Sequence, residues 1–481
     1  MCRGPHASAQ PNRTCSRRYH TSGSTTIKTF SYSINVSFLL LRRDSAVHPL
    51  VSTCSAVRSI LLAGSPEPPE NEFTYSTRAE TQRLRTADDG RVVCCRVTKT
   101  MLNFGLTPRD FRSELFERRP HHFRGALSER VFTWSDVDAL LHAIEPRAPT
   151  IRLLHHGTVP EHAYVEEFVE LGRTRRRLSK PKFYDLLQRG ATLQLNWLER
   201  HSVAAQRLCL EIARFVGAQT SSNAYLSFAG DGTFGQHWDT HDVFAIQLIG
   251  RKRWRLFAPT FPLPLTYQTH DRSGQTCPAE PALELTLEEG DVLYVPRGWW
   301  HHVIPLRVGS FHLSVGVYPP TFFDYIMQTS ARCLERLTDV RRAFSTESHR
   351  QVVADAMQAL ESALLDPANA AFFERDRLAR ERLDAEFHLA SLDSASPPLP
   401  GAAMVSLTMS GAPALGEGNA ILVNGAELRL EGTARAVIEA LREHASLELD
   451  VLCSKLEHIP RDAVRRAVLE LARHDVVTIR T

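Results

Sequence analysis

The chain has 481 residues, of which 43% are apolar and 23% are charged, with a formal net charge of +3. This length allows two or three domains with sizeable cores, and the near balance of charge excludes a polyelectrolyte role such as bulk nucleic-acid binding. No apolar run approaches the ~20 residues that span a bilayer, so no membrane association is expected. The nine cysteines show neither CxxC pairs nor zinc-type spacing, and we interpret them as reduced intracellular thiols.

The first hundred residues differ in composition from the rest. Residues 1–60 contain eight Lys or Arg, one acidic residue and eleven Ser, without a sustained period. This composition predicts a disordered arm over residues 1–100. It is also typical of an organellar transit peptide, and an upstream start codon chosen in place of Met101 would look the same. We expect a cytoplasmic protein, with a mitochondrial location as the alternative if the arm is a transit peptide.

Residues 101–320 are predicted to form one domain with two parts. Helical patterns are predicted to dominate residues 101–220, together with a basic run at 173–182 that is either a solvated face or a steering surface. Residues 222–318 instead contain short β-branched and aromatic segments broken by Gly-rich turns. These segments are NAYLSFA, DVFAIQLIG, RWRLFAP, LELTLEEGDVLYVP and FHLSVGVY. They predict an antiparallel all-β unit of barrel or jelly-roll size.

Three further regions follow the β unit. Residues 321–392 show amphipathic helical periodicity, and the Ser/Pro/Gly-rich stretch 393–403 is typical of a linker. Residues 404–481 predict a strand pair around an NG turn, a helix, two shorter helices and a last strand, which is the order of a winged helix. Residues 401–481 hold nine Lys or Arg against eleven Asp or Glu, so we expect no direct DNA binding.

A candidate metal site lies in the stretch GQHWDTHDVF. In a strand, alternate side chains share one face, so His237 and Asp239 would project together, about 6 to 7 Å apart. A third ligand can come from the WWHHV stretch that follows the PRG turn, where two adjacent histidines are available. Two histidines and one carboxylate on one side of a metal form the facial triad of non-haem Fe(II) oxygenases. An HxD pair at the surface, without a metal, is the alternative.

A lysine on the following strand is predicted to point inward. Lys252 has the parity of apolar Trp254, whereas the neighbouring arginines have the other parity. A lysine inside a β-barrel must be paired, and a dicarboxylate cosubstrate would supply that partner; a lysine that reaches solvent at the strand mouth is the alternative. Polar residues of matching parity on two other strands would line the same cavity. They are Asn223 and Tyr225 on one strand, and His312 and Ser314 on the other.

These motifs carry a family resemblance. GQHWDTHDVFAIQLIGRKRW, followed by LEEGDVLYVPRGWWHHV, resembles the ribosomal oxygenases, which are JmjC-type members of the cupin superfamily that hydroxylate histidine or arginine residues of ribosomal proteins. The resemblance implies an α+β protein with a double-stranded β-helix, a jelly roll with helical flanks. It implies that Fe(II) is bound by His237, Asp239 and His301, since the PRGxxH spacing favours His301 over His302.

The resemblance also assigns the cosubstrates and partners. It implies that 2-oxoglutarate and O2 are consumed, that Lys252 binds the distal carboxylate of 2-oxoglutarate, and that Asn223 lies in the cosubstrate pocket; Ser314 is taken as a further pocket residue. It implies a polypeptide substrate, expected to be a ribosomal protein, with a helical dimerisation segment over 321–392 that makes a homodimer. His241 is expected to pack or to hydrogen-bond on the substrate side rather than to act as a fourth ligand.

One departure and two alternatives remain. The chain has QHWD where the family often has Pro-His-Tyr-Asp, so Trp238 would point outward and substrate contacts would differ. A JmjC lysine demethylase uses the same chemistry on another substrate. The second alternative is a cupin without catalysis, either a ligand sensor joined to a DNA-binding winged helix or a protein that holds Zn or Ni without oxygenation. The Zn or Ni form would leave Lys252 without a role.

Overall fold

The computed structural model describes residues 100–229, 234–381, 386–392, 398–408, 420–423, 426–430, 432–444 and 446–480. All described residues belong to the compact unit that begins at Arg83. Residues 1–99 of the predicted arm, and half of the predicted linker, lie outside the described residues. Within this described part, no helix is both long enough and apolar enough to cross a bilayer.

The region before the β unit mixes helices and strands. Its elements are α1 (Pro108–Glu114), β1 (His121–Phe123), α2 (Trp134–Ala143), β2 (Ile151–Leu154), β3 (Val165–Glu170), β4 (Arg173–Leu178), α3 (Lys180–Gln188), β5 (Thr192–Asn196) and α4 (Val203–Val216). The four helices hold more residues than the five strands, as predicted, but the strands themselves were not predicted. These strands have only three to six residues each, so few residues are available to show a period.

The predicted antiparallel β unit is confirmed. Its elements are β6 (Gln219–Ser227), β7 (Asp242–Ile249), β8 (Lys252–Phe257), α5 (His270–Ser273), β9 (Leu283–Leu287), β10 (Val292–Val295), β11 (Trp300–Pro305) and β12 (Ser310–Tyr318). A seven-stranded sheet has the order β1-β10-β7-β12-β6-β5-β2, and a three-stranded sheet has the order β11-β8-β9. The strands β2 and β5 therefore extend the large sheet beyond the part that the sequence predicts.

Strand β7 lies at the centre of this architecture and is buried on both faces. Its Val243 and Ala245 pack in a cluster with Trp254 of β8 and Leu293 of β10. Its Phe244 and Ile246 belong to the larger core that includes residues of the helices. A strand covered on both sides needs apolar side chains at successive positions, which is why DVFAIQLI is a nearly continuous apolar run.

The basic run at 173–182 forms much of a charged hairpin. Strand β4 pairs with β3, with Glu166 opposite Arg177 and Glu167 opposite Arg176. Both pairs form salt bridges, at 2.6 Å for Arg176 and Glu167. The turn at Leu171 and Gly172 has φ angles of 50° and 72°, which suit a two-residue hairpin. This pairing favours the interpretation of the run as a solvated face.

The rest of the chain is helical and then mixed. The elements are α6 (Phe322–Leu334), α7 (His349–Leu365), α8 (Pro367–Arg380), β13 (Met404–Leu407), β14 (Ala420–Val423), β15 (Ala426–Arg429), α9 (Gly432–His444), β16 (Ser446–Glu448), α10 (Leu449–Lys455), α11 (Arg461–Arg473) and β17 (Val477–Arg480). The predicted helices and the predicted hairpin are present. Strands β13 and β16, which were not predicted, form a sheet with β17 in the order β16-β13-β17.

Candidate metal centre

Three predicted ligands lie together at one end of the β unit. One ligand atom from each of His237, Asp239 and His301 lies within 4.8 Å of the others. The rings of His237 and His301 have centroids 4.3 Å apart, and Nε2 of His301 lies 3.6 Å from Oδ2 of Asp239. The His301 side chain is 8% exposed and that of Asp239 is 33% exposed, so the cluster can be reached from one side.

The local backbone differs from the predicted strand. Regular strand β7 begins only at Asp242, and His237 forms an isolated bridge with His301 instead. The backbone N–H of His237 donates to the carbonyl of His301 at 3.2 Å, and the reverse bond is 2.7 Å long. His237 and Asp239 nevertheless face the same cluster. Trp238 between them is 2% exposed and packs with Trp300, so the expectation of an outward aromatic is wrong.

Hydrogen bonds leave one nitrogen of each ligand histidine for a metal. Nδ1 of His301 lies 3.2 Å from the carbonyl of Trp299, and Nδ1 of His237 lies 3.4 Å from the carbonyl of Gly235. A carbonyl can only accept, so in the neutral tautomer that makes these contacts each Nδ1 carries the proton. Each Nε2 then has a free lone pair, which is the arrangement that metal-binding histidines use.

The electrostatics also suit a cation. Burial, and next the proximity of His237, lower the pKa of His301 to about 4, so its imidazole is neutral at physiological pH. Burial alone would raise the pKa of Asp239, but His241, His301, His237 and His270 together outweigh it and lower that pKa. The cluster thus offers the carboxylate of Asp239 and the neutral imidazole of His301 beside the ring of His237.

Two neighbouring histidines stay outside the cluster. His302 follows His301 on β11 and lies opposite Arg255 of β8; burial, then Arg255 and His237, lower its pKa. His241 stacks on Tyr318, with ring centroids 5.0 Å apart. His301 rather than His302 thus belongs to the cluster, and its role as the third metal ligand stays a prediction.

Lys252 points inward, as predicted. It is 2% exposed, and its Nζ donates to the carbonyl of Tyr225 at 3.2 Å and lies 2.9 Å from Nδ1 of His312. Burial lowers its pKa to about 7. Among the residues that the structure describes, no carboxylate lies within 4.0 Å of Nζ. The alternative of a lysine that reaches solvent at the strand mouth is wrong.

The contact between Lys252 and His312 was not predicted from the sequence. Burial, and then Lys252, lower the pKa of His312 well below the ordinary value, so a neutral imidazole accepts the hydrogen bond from Lys252. The His312 ring stacks on Tyr225, with centroids 5.0 Å apart. Strand parity had placed His312 on the inner face, and that parity is the only sequence signal for this contact.

One cavity of about 90 Å³ joins the metal cluster to Lys252. Its walls combine apolar and polar side chains: Thr192, Tyr225, Phe234, His237, Asp239, Val243, Lys252, Trp254, Val295, His301, Val303, Pro305, His312 and Ser314. Ser314 thus lines the predicted pocket. Asn223 is not among these wall residues; it lies opposite Ser314 in the sheet, and its side chain lies beside Tyr225.

The donor set fits the cofactors that the resemblance implies. Imidazole nitrogens with a carboxylate oxygen, grouped on one side, suit Fe(II) and leave room for further ligands. A buried lysine without an anionic partner is costly, and the distal carboxylate of 2-oxoglutarate would supply that partner.

Comparison with known proteins agrees with this geometry. Residues 197–325 match the JmjC domain model. The chain is 28% identical over 301 residues to ribosomal oxygenase 1 of Rattus norvegicus, covering 60% of this chain and 48% of the relative. It is 29% identical over 153 residues to the bifunctional lysine-specific demethylase and histidyl-hydroxylase NO66 of Drosophila persimilis, covering 32% and 22%. The predicted resemblance to the ribosomal oxygenases is thereby confirmed.

A solved structure shares the fold. The X-ray structure of E. coli ycfD aligns with 79% of this chain and 100% of its own length, at a TM-score of 0.50 and 17% identity. The chain spans less than half the length of the curated relatives described above. The relatives therefore contain long segments that this chain does not match.

Proposed function

We propose that this protein is an Fe(II)- and 2-oxoglutarate-dependent oxygenase that hydroxylates a histidine or arginine side chain of a polypeptide, most simply of a ribosomal protein. One observation carries the proposal: a cluster of two histidines and one carboxylate shares a cavity with a buried lysine. In the part of the chain that the structure describes, this lysine has no carboxylate partner.

Each residue has a distinct role in this proposal. His237, Asp239 and His301 would hold Fe(II) from one side, with Nε2 of both histidines as donors. When bound, Fe(II) with 2-oxoglutarate and O2 supplies the oxidation of an unactivated C–H bond. Lys252 has two of its three N–H groups engaged by Tyr225 and His312, which leaves one for the distal carboxylate.

The substrate class rests on the relatives. One is called a ribosomal oxygenase and another a histidyl-hydroxylase, and both names describe oxidation of protein. The cavity has an apolar wall formed by Val243, Trp254 and Val303, and this wall would keep water away from the reacting groups.

The test is an anaerobic titration of the metal-free protein with Fe(II) and 2-oxoglutarate, followed by the visible charge-transfer band. We expect the band in the native chain, its loss in His237→Ala, and a much higher 2-oxoglutarate requirement in Lys252→Ala. Mass spectrometry of ribosomal proteins incubated with the enzyme should then show the gain of one oxygen atom. Iron binding without a band would contradict the proposal and favour a cupin that does not oxidise.

A second candidate is lysine demethylation, because the Drosophila relative carries that activity in its name as well. The two reactions give different products. A demethylase acting on a peptide that contains methyl-lysine releases formaldehyde and leaves a peptide that has lost a methyl group, whereas a hydroxylase leaves a peptide that has gained oxygen. Formaldehyde release without oxygen retention would favour the demethylase.

We also propose that residues 321–392 pair two copies of the chain. Large apolar side chains are exposed on α6, on α7 and between them, including Phe322 (86%), Phe344 (84%) and Met357 (61%). Contiguous exposed apolar surface of this kind marks interaction sites, and a second copy would cover it.

The proposal for residues 404–481 is a winged-helix domain that does not bind DNA. The order α9, β16, α10, α11 and β17 supports this. Several α11 arginines lie within salt-bridge distance of acidic residues, for instance Arg465 of Asp462 and Arg473 of Glu470. Such pairing lowers the positive potential that a DNA backbone would require.

For the whole protein we propose a cytoplasmic location.

A further inference from the structure

Two chain segments carry all three candidate ligands, and backbone hydrogen bonds join them. His237 and Asp239 lie on the first segment, and His301 lies on the second, just after the Pro296-Arg297-Gly298 turn. Besides the reciprocal bonds between His237 and His301, the N–H of Gly298 donates to the carbonyl of Asp239 at 3.0 Å. The geometry of the cluster therefore depends on how the turn is held against the first segment.

A ring of buried and half-buried polar groups lies directly beyond these bonds. Asp242 is fully buried at the end of the first segment and accepts a hydrogen bond of 2.7 Å from the hydroxyl of Tyr294. That hydroxyl accepts one of 2.8 Å from the backbone N–H of Glu117. The Glu117 carboxylate is in turn paired with the guanidinium of Arg297 in the turn.

The interaction of Arg297 with Asp242 completes the ring. Arg297 is 9% exposed, and its positive charge favours the ionised form of Asp242. Burial nevertheless raises the pKa of Asp242 to about 6, against the hydrogen bond from Tyr294. A carboxylate this deep in the fold costs free energy unless it is paired. The partners of Asp242 are Arg297 in the turn and Tyr294 on β10, the strand that leads into the turn.

We propose that Asp242 is a positioning residue for the metal centre, acting through Tyr294 and Arg297 to fix the Pro296-Arg297-Gly298 turn and thus the place of His301. The inference rests on the proposed function, because it concerns how tightly this chain holds the metal. Asp242 does not itself belong to the described ligand cluster. Its effect is transmitted by Arg297, four residues before His301, and by Tyr294 on β10.

Partners that orient metal ligands typically change metal affinity 10- to 100-fold when they are removed. We therefore expect Asp242→Asn to weaken Co(II) binding by about that factor, and to broaden or shift the visible Co(II) bands. Tyr294→Phe keeps the aromatic ring and removes only the hydroxyl, so it should fold even if Asp242→Asn does not. It should show a smaller loss in the same direction.

Asp291 provides a matched control. It is also a buried carboxylate, 8% exposed, at the other end of β10; it accepts bonds from the N–H groups of Gly125 and Glu288. It lies outside the ligand-bearing segments, so Asp291→Asn should lower the melting temperature and leave Co(II) affinity within about twofold of native.

The experiment is a Co(II) titration, by absorption and by calorimetry, of the full-length native protein and the three variants, beside their melting temperatures. Weaker Co(II) binding in Asp242→Asn and Tyr294→Phe, but not in Asp291→Asn, supports the inference. Unchanged Co(II) affinity in Tyr294→Phe, or equal loss in all three, overturns it while the proposed function stands. Failure of the native chain to bind Co(II) overturns both.

Discussion

Lys252 and His312 share a hydrogen bond of 2.9 Å inside the β unit, between strands of different sheets. His312 is neutral and can therefore accept, and the Tyr225 carbonyl takes a second N–H of the ammonium. The third N–H remains available. Lys252 would therefore offer one N–H group in a fixed direction to the distal carboxylate of 2-oxoglutarate. Binding of 2-oxoglutarate would then depend on the protonation of Lys252.

The affinity for 2-oxoglutarate should fall as pH rises. Burial lowers the pKa of Lys252 to about 7, so without ligand it is charged below that pH and neutral above it. A dicarboxylate binds the charged form, so the KM for 2-oxoglutarate should be lowest below about pH 7 and rise up to about tenfold per pH unit above it. Steady-state kinetics from about pH 6 to about pH 9 measure this.

Lys252→Arg is the control, because a guanidinium stays charged over this range. Its KM should be higher than that of the native enzyme but nearly constant with pH. A native KM that does not change with pH, or a variant with the same slope, would show that Lys252 does not titrate in cosubstrate binding.

The two adjacent histidines of β11 should separate cleanly. His301→Ala should lower the affinity for Fe(II) or Co(II) by more than about 100-fold. This loss exceeds the 10- to 100-fold loss that is typical when a residue that only orients a ligand is removed. His302→Ala should keep the affinity within a few fold, since its ring lies outside the described cluster. Metal titration of both variants checks this, and equal losses would mean that the ligand is not assigned correctly.

Gly298 should be intolerant of a side chain. Its φ is +82°, and an added Cβ would lie 2.6 Å from the carbonyl oxygen of Phe261 and 2.9 Å from Cδ of Pro264. We expect Gly298→Ala to destabilise the protein by about 1–3 kcal/mol or more, since backbone strain and a steric clash add. Chemical denaturation followed by fluorescence measures the change.

Gly274→Ala is the matched control for that substitution. Gly274 also has a positive φ, +65°, but no atom lies within 4 Å of its added Cβ, so only the backbone strain remains. Equal destabilisation by both alanines would show that the contact with Phe261 has no energetic effect.

The apolar surface of α6 and α7 should control oligomeric state. We expect light scattering to give a dimer mass for the native protein and a monomer mass for Met357→Asp, because a buried unpaired carboxylate at an interface is costly. Met357 lines a cavity of about 430 Å³ together with Phe344 and Val353. Val169→Asp changes an exposed apolar residue on β3 and should leave the dimer intact; a monomeric native protein would refute the pairing.

Local patterns predicted much of the site, and distant contacts explain what they missed. Strand alternation predicted that Lys252 points inward, and the PRGxxH spacing favoured His301 over His302. Both signals depend on only a few successive residues. The contact of Lys252 with His312 joins residues 60 apart in sequence, and it follows from how the two sheets pack. The ring around Asp242 draws on Glu117, whose distance in sequence gives no signal at all.

Short strands were missed for a related reason. β2 and β5 have only four and five residues, fewer than are needed to tell strand from helix by period. They become strands because β5 pairs with the edge of β6, and β2 then pairs with the edge of β5. The isolated bridge at His237 is similar, since it exists only because His301 lies opposite.

The paired charges of the β3–β4 hairpin bear on encounters with RNA. A free arginine that contacts a phosphate releases counterions, and each such contact adds nearly one unit to the slope of log affinity against log salt. Arg176 and Arg177 already have carboxylate partners on β3, so a phosphate would have to displace them. Filter binding of the protein to RNA should therefore show weak affinity with a shallow dependence on ionic strength, despite the six Lys or Arg residues in the run 173–182.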